Sequence, residues 1–241
     1  MHYPARAGRY AVGLAVAGSG LMQIVNADFV RLVARPGWLP EPQLLAVASG
    51  VVLVLAGAAI AAGYRLRAAA LTLAVMLGVT FLMKVPEIAA NPSAGFVWTN
   101  PAKTLALAGV ALLLAGATGR VVTVAAVLLG IFLLICGVQH FVYAGFVDGL
   151  VPAWIPPSPR FWTLFTAVAL LAGGLGVLLP VARRPAGLAT GVMIFLWVVL
   201  LHIPRSVTMR SAFELAGVFE ALALGGAAWL VATTGPAPAA K

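Results

Sequence analysis

Two histidines, two charges set inside apolar sequence and a scatter of arginines carry most of the chemistry this chain can offer. His140 and His202 stand near the same ends of the fifth and seventh of eight apolar runs, a placement that lets both face one cavity at one depth. Neutral imidazole there can hydrogen-bond a quinone, pass a proton or ligate haem iron. It can equally cap a helix or bond a loop carbonyl. Ionisable groups within a membrane are candidates for function by default, and a quinone or proton role ranks ahead of haem. Lys103 and Glu220 hold equivalent positions in the fourth and eighth runs, with Glu220 six residues beyond Glu214. That spacing is about 9 Å of helix, deep enough that an unpaired charge costs about 2.5–3.5 kcal/mol. An ion pair between the two relieves the cost; proton relay by Glu220 is the alternative. Arg205 and Arg210 bracket the segment after His202-Ile203-Pro204, while Arg31 and Arg35 flank the first of two tryptophan loops. They read as a basic outer pocket for an anion, such as a sulfur oxyanion or a lipid headgroup, or as anchors for lipid phosphates. Trp38 and Trp154 read as interfacial belt residues set by neighbouring prolines, or as part of a lid over a central cavity.

The elements that position these residues follow from composition. The chain has 241 residues, of which 63% are hydrophobic and 9% charged, and its mean hydropathy is +1.07; an ordinary soluble domain is about 25% charged. A run of about 20 apolar residues crosses a hydrocarbon core as helix. Eight such runs are read at Arg9–Val30, Gln43–Gly63, Arg67–Ile88, Pro101–Gly119, Val121–His140, Phe161–Leu179, Pro185–Ile203 and Ala212–Thr233. They use nearly the whole chain, so no extramembrane domain with its own core is expected. Arg6 and Arg9 ahead of Ala15-Val16-Ala17 also fit a secretory signal, but this run has a partner later in the chain, which favours a retained span. Cys136 is the single cysteine and reads as a small hydrophobe. No P-loop, dinucleotide fingerprint, hydrolase elbow or His-rich metal cluster is present, so a metal site is not expected.

The net charge of +9 reads through topology, with the lipid bilayer and no nucleic acid as the partner. With the N-terminus cytoplasmic, that side carries Arg6, Arg9, Arg65, Arg67, Arg120, Arg183, Arg184 and Lys241 and no acid. The opposite side carries the other seven bases and all six acids. The tight pairs Arg65/Arg67 and Arg183/Arg184 lie in very short loops, where basic residues hold a loop inside most strongly. Both termini are expected in the cytoplasm.

The stretch "GVQHFVYAGFVDGLVPAWIP" from Gly137 to Pro156 has an earlier counterpart, "GLMQIVNADFVRLVARPGWLP", from Gly20 to Pro40. Gly20 aligns with Gly137, Phe29 with Phe146, Trp38 with Trp154 and Pro40 with Pro156, at an offset near 117. The register persists downstream, where "AKTLALAG" (Ala102–Gly109) lies opposite "FEALALGG" (Phe219–Gly226). Two four-helix units in tandem, residues 1–119 and 120–241, account for this. Four spans per unit make both enter the membrane from one side. The expected fold is therefore an all-α membrane protein of eight transmembrane helices, two parallel-oriented units related by a pseudo-twofold along the membrane normal. Small residues such as Ser49, Gly50, Gly57, Gly173, Gly174 and Gly176 allow close helix approach.

These motifs resemble the DoxX-type membrane proteins, taken once per half. The resemblance rests on Gly137, His140-Phe141 and Pro152-Ala153-Trp154-Ile155-Pro156, on the Gly-rich helix from Phe161 ending at Pro180 and Arg183-Arg184, and on "HIP" and "WTNPAKTLALAG" downstream. The first half departs from it, with Gln23-Ile24 in place of His-Phe and Lys84 in place of His202. The resemblance implies a compact four-helix module of a bacterial inner or plasma membrane. In some relatives it implies thiosulfate:quinone oxidoreduction or a membrane complex for oxidative stress. On that basis His140, His202, Glu220, Arg205 and Trp154 are the ligand-binding candidates, with Lys103–Glu220 as a structural ion pair and quinone as the cofactor class. A small-molecule or lipid permease and a ligand-free scaffold for a membrane complex are the alternatives.

Overall fold

The computed structural model describes residues 3–33, 35 and 42–234. Trp38 and Pro40 of the first tryptophan loop lie outside the described residues. All regular structure among the described residues is helical: α1 (Tyr3–Asn26), α2 (Gln43–Ala62), α3 (Leu66–Ala90), α4 (Thr99–Leu114), α5 (Arg120–Val142), α6 (Ala144–Asp148), α7 (Pro159–Leu178), α8 (Arg183–Trp197), α9 (Ile203–Met209) and α10 (Ala212–Ala232). A 3-10 turn, Gly95–Trp98, leads into α4, and a π-helical turn, Val198–His202, joins α8 to α9. Pro204 has no N–H to return to the preceding turn, and helices widen where that ladder is interrupted.

Seven helical segments are long and apolar enough to cross a bilayer: Gln43–Ala62, Leu66–Ala90, Gly95–Leu114, Arg120–Val142, Pro159–Leu178, Arg183–Met209 and Ala212–Ala232. Helix α1 has the length, with 24 residues, but Arg6, Arg9, Ser19, Gln23 and four glycines dilute its apolar character. Most of that dilution faces protein, since Gly8, Gly13, Ser19, Gly20 and Gln23 are buried. Gln23 donates to Ala46 O and Ser49 Oγ of α2, at 3.2 and 3.0 Å.

The outer surface is the apolar one. Leu14, Leu44, Leu55, Leu82, Val124, Val168 and Val181 are exposed, a pattern suited to lipid contact. Inside, the long segments neighbour one another in chain order: α1 on α2, α2 on α3, α3 on α4, α4 on α5, α5 on α7, α7 on α8 and α8 on α10, and α10 closes back on α1. Helix α10 also touches α4 and α5 across the middle and is the most buried of the seven apolar segments. Missing side chains permit this closeness. A Cβ built on Gly57 would lie 2.6 Å from Gly13 O, and one on Gly174 would lie 2.9 Å from Gly130 O. At the α1–α10 seam a Cβ on Gly226 would lie 2.7 Å from Gly8 O, and at the α4–α5 seam one on Gly109 would lie 3.0 Å from Ala125 Cα. Between lipid-embedded helices, van der Waals contact at such approaches replaces the hydrophobic drive that operates in water.

Candidate functional site

The polar groups gather where α4 and α10 begin and α8 and α1 end. Ser211 opens α10 by accepting a hydrogen bond from Phe213 N at 3.2 Å. In the first turn Glu214 receives Arg205 through two hydrogen bonds, Nη2 to Oε1 at 2.7 Å and Nε to Oε2 at 3.2 Å, so the planar guanidinium meets the planar carboxylate edge to edge. Further along the helix Glu220 is 5% exposed and meets two cations. Lys103 Nζ of α4, also 5% exposed, donates to Oε1 at 2.6 Å. Arg31 Nε, from the segment after α1, donates to Oε2 at 2.9 Å. Each carboxylate oxygen thus has its own charged donor, the condition under which a buried ion pair offsets its desolvation. Asn100 Oδ1 accepts from Lys103 Nζ at 2.9 Å, and the Arg31 guanidinium lies 4.2 Å from the centre of the Phe213 ring.

His202 joins this cluster from the π-helical turn. A Cβ built on Gly217 would lie 3.4 Å from His202 Nδ1 and 3.9 Å from an Arg31 guanidinium nitrogen, so imidazole and guanidinium share the notch that this glycine leaves on α10. The structure therefore brings together His202, Glu220 and Lys103, with Arg31 linking them, and places Arg205 on the neighbouring Glu214. His140 is elsewhere: its Nδ1 is 2.7 Å from Cys136 O in its own helix. The adjacent Gln139 ties α5 to the turn before α4, donating to Gly95 O at 2.7 Å and accepting from Thr99 Oγ1 at 2.8 Å. Trp154 is 65% exposed in the loop between α6 and α7.

Sequence reasoning read Arg31 with Arg35, Arg205 and Arg210 as an anion pocket or as anchors for lipid phosphates, did not pair it with Glu220, and passed over Asn100. Asn100 carried a signal, since it lies one helical turn before Lys103 on the same face. Arg31 carried none, because its partner is 189 residues away and reached through a loop.

A second feature lies between α7 and α8. A cleft of about 720 Å³ is lined by Trp162, Phe165, Met193, Leu196 and Trp197, with Thr190 among them. Trp162 and Trp197 meet edge to face with centroids 5.8 Å apart, and Trp162 Nε1 donates to Pro156 O at 2.8 Å, which sets its ring at the N-terminal end of α7. The cleft is almost entirely apolar.

Comparison with known families finds two matches. The DoxX family model matches residues 5–85, and a domain of unknown function (DUF8561) matches residues 129–228. No curated protein and no solved structure matches the chain. The DoxX match covers most of α1, all of α2 and most of α3 and includes Trp38 and Pro40, whereas His140-Phe141 and the second tryptophan motif lie in the second half. The matched residues contain neither His140 nor His202.

Proposed function

We propose, from the premise that residues 5–85 carry a DoxX unit, that the chain is an eight-span module of two such units in tandem, 1–119 and 120–241. In this reading it serves as a membrane subunit or accessory module of quinone-linked redox or oxidative-stress chemistry. Several contacts support the tandem reading. Adding 117 to Gly13 and Gly57 of the α1–α2 approach gives Gly130 and Gly174 of the α5–α7 approach. The same step takes Gly8 to Ala125 and Gly109 to Gly226, relating the α1–α10 seam to the α5–α4 seam. Lys103 and Glu220 are separated by 117 residues as well, so their ion pair joins equivalent positions of the two units. With α1 as a span, its small and polar residues turned toward α2 and α10, each unit crosses an even number of times. Both then enter from the same side, and the arginine-rich short loops put the termini in the cytoplasm.

The α7–α8 cleft is the observation that carries the redox reading. Ligand sites are typically about 300–1,000 Å³, mostly apolar with few polar groups, and this cleft offers two indoles, a phenyl ring and one hydroxyl. A quinone ring stacks on such surfaces while its isoprenoid tail lies along Leu196 and Leu200. A bound quinone would supply two-electron, two-proton redox capacity. His202 faces α10, so in this reading the imidazole and Glu220 belong to the charged cluster, while Trp162, Trp197 and Thr190 hold the ring.

The test is extraction of the full chain in native lipid discs, with retained quinone quantified and a photoreactive quinone analogue mapped. Labelling of α7 and α8 peptides is expected, with roughly tenfold weaker retention in Trp162→Ala/Trp197→Ala, the equivalent of about 1.4 kcal/mol. Absence of both quinone and labelling in the unaltered protein would contradict the reading. A scaffold role is the second reading, favoured by the way Lys103 and Arg31 each take one oxygen of Glu220 and so tie the two units together. The permease alternative finds less support, because the seam between the units is filled by packed α4 and α10.

A further inference from the structure

We infer that a phosphate group binds in a cup of cations at the end of the bundle that carries the charged cluster. A cavity of about 210 Å³ is lined by Arg31, Arg35, Lys84 and Asn100, with Phe29, Val33 and Phe213 completing its wall. Arg31 and Asn100 are held as donors. Arg31 is fixed by Glu220 on its Nε and by the Phe213 ring under its guanidinium, which leaves the two terminal nitrogens for another acceptor. Asn100 turns its carbonyl oxygen to Lys103, so its amide NH₂ is the remaining group. Among the described residues Lys84 has one charged partner, the half-exposed Glu87 on its own helix at 3.7 Å, beyond hydrogen-bond length and easily exchanged. Arg35 adds a third cation. The carboxylate beneath, Glu220, is already divided between Lys103 and Arg31. Among the described residues the polar side chains lining the cavity present donors and positive charge, which suits a tetrahedral oxyanion. The arginine forks favour phosphate, because a guanidinium pairs two phosphate oxygens at once.

The cavity opens where α3 ends and α4 and α10 begin, at headgroup depth for a spanning bundle. Its volume admits one phosphate with part of an attached glycerol. The phosphate can belong to an anionic lipid headgroup or be free in solution, and the site does not depend on the quinone reading.

The full chain is reconstituted in discs of mixed phosphatidylglycerol and phosphatidylcholine, and lipid retained through delipidation is counted by mass spectrometry. In a second arm, inorganic phosphate is titrated against the protein by phosphorus NMR. Arg35→Gln/Lys84→Gln is expected to weaken binding roughly tenfold in whichever arm shows it, while Arg120→Gln at the opposite end changes neither. Loss confined to the lipid arm identifies a headgroup, and loss in the phosphate arm a soluble anion. Equal binding by the unaltered and double-variant proteins in both arms, or no binding in either, overturns the site. Neither substituted residue takes part in the Glu220 ion pairs, so the fold is expected to persist. As a check that needs no variant, phosphatidylglycerol or phosphate should slow acylation of Lys84 by an amine-reactive reagent, and an unchanged rate counts against the site.

Discussion

Glu220→Ala is expected to cost about 3–5 kcal/mol of stability, the loss typical when one partner of a buried pair is removed. Lys103 would keep its charge beside an empty space, with Asn100 Oδ1 as its remaining acceptor, and Arg31 would lose the partner that anchors it. The penalty comes from the orphaned charge more than from the lost attraction. Lys103→Met/Glu220→Leu should therefore recover most of the stability, and a double-mutant cycle should show a coupling well above that of independent sites. Glu214→Ala should cost less, about 1 kcal/mol, because its pair with Arg205 is partly exposed. Reversible unfolding in mixed micelles reads these variants and the two single members of the cycle. Equal costs for Glu220→Ala and Glu214→Ala would contradict a buried role for Glu220.

Gly57→Ala is expected to destabilise by about 1–3 kcal/mol, as overpacking does. The added methyl would meet backbone, with Ala17 N at 2.3 Å and Gly13 O at 2.6 Å, and backbone cannot swing aside as a side-chain end can. Helices α1 and α2 would have to part along their contact. Gly174→Ala should behave alike, since its methyl would meet Gly130 O at 2.9 Å. Gly78→Ala provides the opposite sign, because nothing lies within 4 Å of the new atom and alanine favours helix over glycine by up to about 1 kcal/mol. The same unfolding assay compares the three, and a stabilising Gly57→Ala would remove close packing as the cause of the α1–α2 contact.

Hydropathy made the helices legible, and physics explains where it fell short. Helix α1 is the least apolar of the long helices because Ser19, Gln23 and most of its glycines face neighbouring helices, so it falls outside the seven segments that length and hydropathy mark. Lys103 and Glu220 stand out in sequence because each places a charge within an apolar run. Arg31 does not, since its role depends on how the chain after α1 folds back over α10. Depth along a helix was readable for His140 and His202; rotation about the axis was not. His140 in α5 lies against its own Cys136 carbonyl while His202 faces α10, and the π-helical turn at Val198–His202 changes the rotation of the latter without a hydropathy signal. The apolar cleft was also hidden, because Trp162 and Trp197 lie in different runs and become a site through the α7–α8 contact.

The tandem, same-direction arrangement of the two units is tested most directly by sidedness. On a Cys136→Ala background, single cysteines at Asp28 and Gly145, separated by 117 residues, are placed in oriented membrane vesicles and treated with a membrane-impermeant thiol reagent. Both should label from the non-cytoplasmic face, while cysteines at Arg65 and Arg184 label from the cytoplasmic one. Labelling of Asp28→Cys and Gly145→Cys from opposite faces would contradict the arrangement, and with it the reading of the chain as two like units side by side.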